Sequence, residues 1–180
     1  MMSASNRSGP GNRGVGSRQR LGARLDVLPS YSWRTDPSVP AFPDDKPVIV
    51  FDGICVLCSG FVRFVATRDP NAKFRFIAAQ SPLGTALYRH LRLDAVNYES
   101  NLLIADGKVS AKMEAFRGIM WRLGRGWRAA SAIGLLPGWV ADGVYDVVAR
   151  NRCRVFGRYD RCIRFDADGA GASWHDRVIE

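Results

Sequence analysis

Cysteine is scarce in this chain: there are four in 180 residues, Cys55, Cys58, Cys153 and Cys162. That density is too low for a small secreted scaffold stapled by disulfides, and it points to a reducing compartment. Histidine is scarcer still. His90 falls on a helical stretch and His175 in a polar tail, so both read as surface residues and neither suggests a metal or an acid–base pair. Nothing approaches the roughly 18 to 20 consecutive apolar residues that span a bilayer, and the first residues lack the apolar core of a secretory signal. A soluble, cytoplasmic protein is expected. Residues 1–24 contain no acidic residue, and Pro29, Pro37, Pro40, Pro43 and Pro47 interrupt the next stretch, so residues 1–46 are expected to form a disordered N-terminal extension. The Arg-rich, Ser-containing start would also fit an organelle transit peptide.

With 47% hydrophobic residues, the rest is long enough for one domain with a true core, expected over residues 47–164, followed by a flexible tail over 165–180. Val48 to Phe51 reads as a strand, and Ser59 to Arg68 carries Phe61, Phe64 and Val65 at helical spacing. Lys73 to Ala78 alternates as a second strand. Ser81-Pro82 then supplies an N-cap and a first-turn proline for a helix bearing Leu83, Leu87 and Leu91. Asn101 to Ala105, the turn Asp106-Gly107 and Lys108-Val109 read as a hairpin. Helices are predicted over Ala111 to Leu123, ending at Gly124, around Trp127 to Leu135, and over Gly138 to Arg150 with Ala141, Val144, Tyr145 and Val148 on one face. This order predicts an α/β fold, a thioredoxin-like sandwich with a small mixed sheet and a helical C-terminal half.

The chemistry concentrates at Cys55-Val56-Leu57-Cys58, after a strand and the turn Asp52-Gly53 and before a helix. A C-x-x-C there brings two sulfurs within bridging reach, and the free N–H groups of the helix start favour a thiolate. Cys55, nearer the helix start, is expected to be the more exposed and more acidic thiol, hence the nucleophile, with Cys58 resolving. Asp52 is expected to cap the helix or accept the Cys58 proton, and Gly53 to supply a backbone angle closed to other residues. Val56-Leu57 offers neither proline rigidity nor a histidine whose charge could stabilise a thiolate, and Val96 to Leu102 has no proline where thioredoxins carry one. Inert packing and metal binding are the competing readings of the pair. A four-thiolate zinc site with Cys153 and Cys162 does not fit the spacing between those two, which read as structural. A haloacid-dehalogenase-type phosphatase would need a second aspartate where Ile54 stands.

The segment Phe51-Asp52-Gly53-Ile54-Cys55-Val56-Leu57-Cys58, together with Tyr145 to Gly157 (YDVVARNRCRVFG), resembles the DCC family of thiol-disulfide oxidoreductases, with Asp52, Cys55 and Cys58 matching its signature. The resemblance implies protein-disulfide reductase chemistry with no bound cofactor and no metal, on a disulfide-containing protein or a small thiol. Cys153 departs from it, standing where an aromatic residue is expected.

Net charge is +9, and residues 111–164 hold 11 Lys and Arg against 4 Asp and Glu. Interleaved with Trp121, Trp127 and Trp139, this basic half suggests peripheral membrane contact more than nucleic-acid binding. The alternative to an enzyme is a non-catalytic binding module on the same fold, docking to a membrane surface or protein partner through that half.

Overall fold

The computed structural model describes residues 25–96, 98, 100–131, 138–158 and 177–179. Among them the sheet has the order β4-β3-β1-β2-β5, built from β1 (Val48–Phe51), β2 (Arg75–Ala78), β3 (Leu102–Ala105), β4 (Lys108–Ala111) and β5 (Val178–Ile179). The strand β1 pairs parallel with β2 and antiparallel with β3. The parallel pair is joined by α1 (Val56–Thr67), as the expected crossover requires, and β3 and β4 form the expected hairpin about Asp106-Gly107, both at positive φ. This is the thioredoxin-like α/β arrangement anticipated from the order of elements.

All four residues of β1 are buried, because the strand is central and covered on both sides. Val48 and Val50 face one cluster, with Ile77, Leu102 and Ile104 of the sheet and Leu83, Leu87 and Tyr88 of α2 (Pro82–His90). Ile49 and Phe51 face the other, with Phe76, Leu103, Val62 and Val65 of α1, and Ala115 and Ile119 of α3 (Lys112–Leu123). The helix α2 starts as predicted, Ser81 Oγ accepting the Gly84 amide at 3.0 Å. At Gly84 a side chain would collide with the Ala78 carbonyl and stand 2.8 Å from Ala79 Cα, so glycine lets α2 sit directly on the end of β2. The helix α3 ends at Gly124, where φ is 73°. A one-turn α4 (Arg128–Ser131) and the long α5 (Gly138–Val155) follow.

Packing begins before the expected boundary at residue 46. Leu25, Trp33 and Val39 are buried in the α2-side cluster. Trp33 Nε1 donates to Asp44 at 2.8 Å, and Arg34 pairs with the same carboxylate. His90 is not a free surface histidine: its Nδ1 lies 2.6 Å from Asp36 and its Nε2 2.9 Å from Ser32 Oγ, tying this segment to the end of α2. The prolines therefore turn a packed segment instead of marking an unpacked one. At the other end, β5 adds to β2 inside the expected tail, and buried Arg177 holds the Asp69 carbonyl at 3.2 Å.

The helical half also departs from expectation. On α5, Val144 and Val148 are exposed, as are Val147 and Val155, and the helix turns Tyr145 and Arg152 inward. Trp127 packs edge-on against Phe64, whereas Trp121 is exposed with the Arg128 guanidinium over its ring. The Trp139 side chain and His175 lie outside the described residues. Among the described residues no helix is long and apolar enough to cross a membrane.

Candidate active site

The site forms where β1 ends. The Ala79 amide bonds the Phe51 carbonyl at 2.8 Å, extending the parallel pairing so that Asp52 and Gln80 leave the sheet side by side. Gln80 Nε2 donates to Asp52 Oδ1 at 2.6 Å and its Oε1 accepts the Gly53 amide at 3.0 Å, closing a ring of bonds around the turn. Asp52 Oδ1 also accepts the Ile54 amide at 3.1 Å. The carboxylate thus holds the turn and does not cap α1; that place belongs to Cys55, whose Sγ accepts the Cys58 amide at 3.4 Å.

Cys55 and Cys58 are both reduced and both buried, with 0% and 4% of their surface exposed. Neither thiol stands exposed, so the expected difference in exposure between Cys55 and Cys58 is not seen. The chain after α5 comes back to the pair, where Arg158 forms an antiparallel bridge with the Cys55 backbone.

A cation absent from the local sequence arrives from far away. Arg152, buried, reaches from α5 so that Nη1 lies 3.3 Å from Cys58 Sγ and Nη2 lies 3.1 Å from Asp52 Oδ2 and 2.8 Å from the Tyr98 carbonyl. A planar guanidinium suits this two-handed grip, which a lysine could not reproduce. Two turns before Arg152 on the same helix, Tyr145 Oη accepts the Asn101 amide at 3.3 Å and seats α5 against the start of β3. Charge and spacing do not single out Arg152, one basic residue among several. Its signal is the helical i, i+7 relation to Tyr145 inside a stretch marked by family resemblance.

A family model described as DCC1-like thiol-disulfide oxidoreductase matches residues 49–158, which runs from β1 through Cys55, Cys58 and Arg152 to the bridge at Arg158. The chain belongs to the DCC1-like family. It is 34% identical over 116 residues to YuxK, an uncharacterized protein of Bacillus subtilis, covering 64% of this chain and 85% of that protein. It is also 34% identical over 134 residues to a chloroplastic DCC family protein of Arabidopsis thaliana, covering 74% and 78%. No solved structure matches it. Among the described residues no group of three His, Cys, Asp or Glu side chains could hold a metal. Cys162 and the Cys153 side chain lie outside the described residues.

In this DCC1-like site the two thiols are driven apart. The hydrogen bond from the Cys58 thiol brings Cys55 down from 9.0 to about 6, helped by the Cys58 amide and the Arg152 charge against burial and Asp52. The same bond, with burial, pushes Cys58 far up. Burial works against the charge on Arg152, but the negative groups at Cys58, Cys55 and Asp52 outweigh it and raise its pKa. Burial also raises Tyr145, to about 12. Because Cys55 is more acidic folded than unfolded, its thiolate stabilises the dithiol form fully above about pH 9, and this is lost as pH falls through about 6. We expect the thiolate absorbance in the far ultraviolet to rise with a midpoint near pH 6, and the melting temperature of the dithiol form to gain on the disulfide form between pH 6 and 9. A midpoint at the ordinary cysteine value would contradict this assignment.

Proposed function

We propose that this protein is a thiol-disulfide oxidoreductase of the protein-disulfide reductase type, acting in the cytoplasm on a disulfide-containing protein or a small thiol-derived disulfide. Cys55 is the nucleophile. Its thiolate attacks one sulfur of the substrate disulfide, forms a mixed disulfide and expels the other sulfur as a thiolate. The hydrogen bond that kept Cys58 protonated is thereby lost, and Arg152 remains beside its sulfur. Asp52, held next to Cys58 by the shared guanidinium, takes the Cys58 proton. Cys58 then attacks Cys55 Sγ, releasing the second substrate thiol and leaving the Cys55–Cys58 disulfide.

The observation that carries this reading is the buried guanidinium of Arg152 divided between Cys58 Sγ and Asp52. Burying a cation is costly, and a pair of inert packing cysteines gives no return for it. A binding module on the same fold would have no need of a charge aimed at sulfur. A bulky disulfide has to reach a buried Cys55 whose backbone is bridged to Arg158, so exchange on this reading requires the chain after α5 to move.

The test is the reduction potential of the pair, measured in glutathione and dithiothreitol buffers with alkylation and mass spectrometry, and with Cys55→Ser as control. A reversible two-electron couple between about −120 and −300 mV is expected. Failure to form the disulfide at any potential would reject the proposal.

A further inference from the structure

We propose that the reduced pair also reduces hydroperoxides, with a small peroxide as the oxidant that reaches Cys55 while the site is still covered. This rests on the dithiol reading of the pair and names a second substrate class for the same sulfurs. Access separates the two classes. Displacement at a disulfide needs three sulfurs in a line, with the substrate's own chain on either side, yet Cys55 is fully buried and its backbone is paired to Arg158. What little of the pair meets the surface does so at Cys58, with 4% of its area. Hydrogen peroxide brings only two heavy atoms, so it needs a brief local opening and not the removal of the bridge.

The groups around the sulfurs suit that reaction. The thiolate, not the thiol, attacks an O–O bond, and a thiolate at Cys55 is favoured by the Cys58 thiol and amide. Arg152 Nη1 lies 3.3 Å from Cys58 Sγ, so a positive charge stands beside the pair and favours the Cys55 thiolate that must attack. A second thiol waits within hydrogen-bonding reach to stop over-oxidation.

The steps balance. Cys55 S⁻ attacks one oxygen of H2O2; the S–O bond forms as the O–O bond breaks, and the hydroxide released takes a proton from solvent to become water. Cys55 is then a sulfenic acid, Cys–SOH. Cys58 attacks its sulfur, the S–S bond forms, and the hydroxyl leaves with the Cys58 proton as a second water. The cysteine pair has lost two electrons, and the peroxide has gained them. An external dithiol reduces the disulfide by thiol-disulfide exchange.

The experiment uses the full chain, reduced and freed of reductant, mixed with hydrogen peroxide and followed by thiol loss and intact mass. Oxidation to the Cys55–Cys58 disulfide is expected to be at least about 100-fold faster than that of free cysteine at the same pH. It is also expected to outpace oxidation by a disulfide-bonded protein at equal concentration. In Cys58→Ser, dimedone is expected to label Cys55; in Cys55→Ser the fast phase disappears. A pair that equilibrates normally with dithiothreitol but meets peroxide no faster than free cysteine overturns this inference and leaves the exchange reading standing. Dimedone on another cysteine overturns it equally. A pair that forms no disulfide under either treatment rejects both.

Discussion

In Cys58→Ser, turnover with a disulfide substrate is expected to stop after the first half-reaction, with the substrate left joined to Cys55. Cys58 is the group that must attack the mixed disulfide, and among the described residues no other free cysteine is seen near Cys55. The variant also replaces the thiol whose hydrogen bond is the largest cause of Cys55 acidity by a hydroxyl on a shorter bond that reaches Cys55 Sγ less well, so its thiolate should appear at higher pH than the wild-type value of about 6. One change thus gives two readouts: a covalent adduct of substrate mass at Cys55, and an upward move of the thiolate absorbance midpoint. Serine preserves size and a hydroxyl donor, so the fold should survive. Multiple turnover at the wild-type rate would show that resolution comes from the substrate or from another thiol, and the assignment of Cys58 would fall.

Arg152→Met is expected to cost stability as well as chemistry. It leaves Asp52, 1% exposed, without its cation, and breaking a buried pair by removing one partner costs about 3–5 kcal/mol. For a chain of this size that corresponds to a fall in melting temperature on the order of 10 °C. The Tyr98 carbonyl loses its donor too, so part of the cost is an unpaired acceptor. Because Arg152 charge also favours the Cys55 thiolate, the pH midpoint should move upward in the same variant. Arg152→Lys separates the two effects: it keeps the charge but reaches only part of the grip, and should recover more of the thiolate shift than of the stability. A variant Arg152→Met that melts within about 2 °C of wild type and titrates unchanged would remove arginine from the site.

The parts legible in the sequence are those whose cause is local. The pair Cys55 and Cys58 can be placed at a strand–turn–helix junction because apolar run, Asp-Gly turn and helical spacing succeed one another within a few residues. Ser81 as a cap and Asp106-Gly107 as a hairpin turn rest on the same kind of short-range physics. The bridge from Cys55 to Arg158 is not legible in this way, because the two are remote in sequence. Nor is the packing of the segment before β1: proline content describes the backbone, whereas the burial of Trp33 depends on a sheet face waiting for it.

Helix α5 shows where the division falls. Its sequence carries two overlapping faces, one with Val144 and Val148, the other with Tyr145 and Arg152, and hydropathy favours the first as the inner one. The fold turns the second inward, since Asp52 and the Cys58 sulfur need a cation and the Tyr98 carbonyl a donor. By itself the sequence determined the order of elements, the fold class and the place of the cysteine pair, because periodicity, caps and turns act within a few residues. Only the tertiary structure decided which arginine is buried, that both thiols are buried and what lowers the Cys55 pKa. Those depend on groups far apart in the chain, Asp52 and Arg152 being 100 residues apart, whose pairing is visible only once desolvation makes it count.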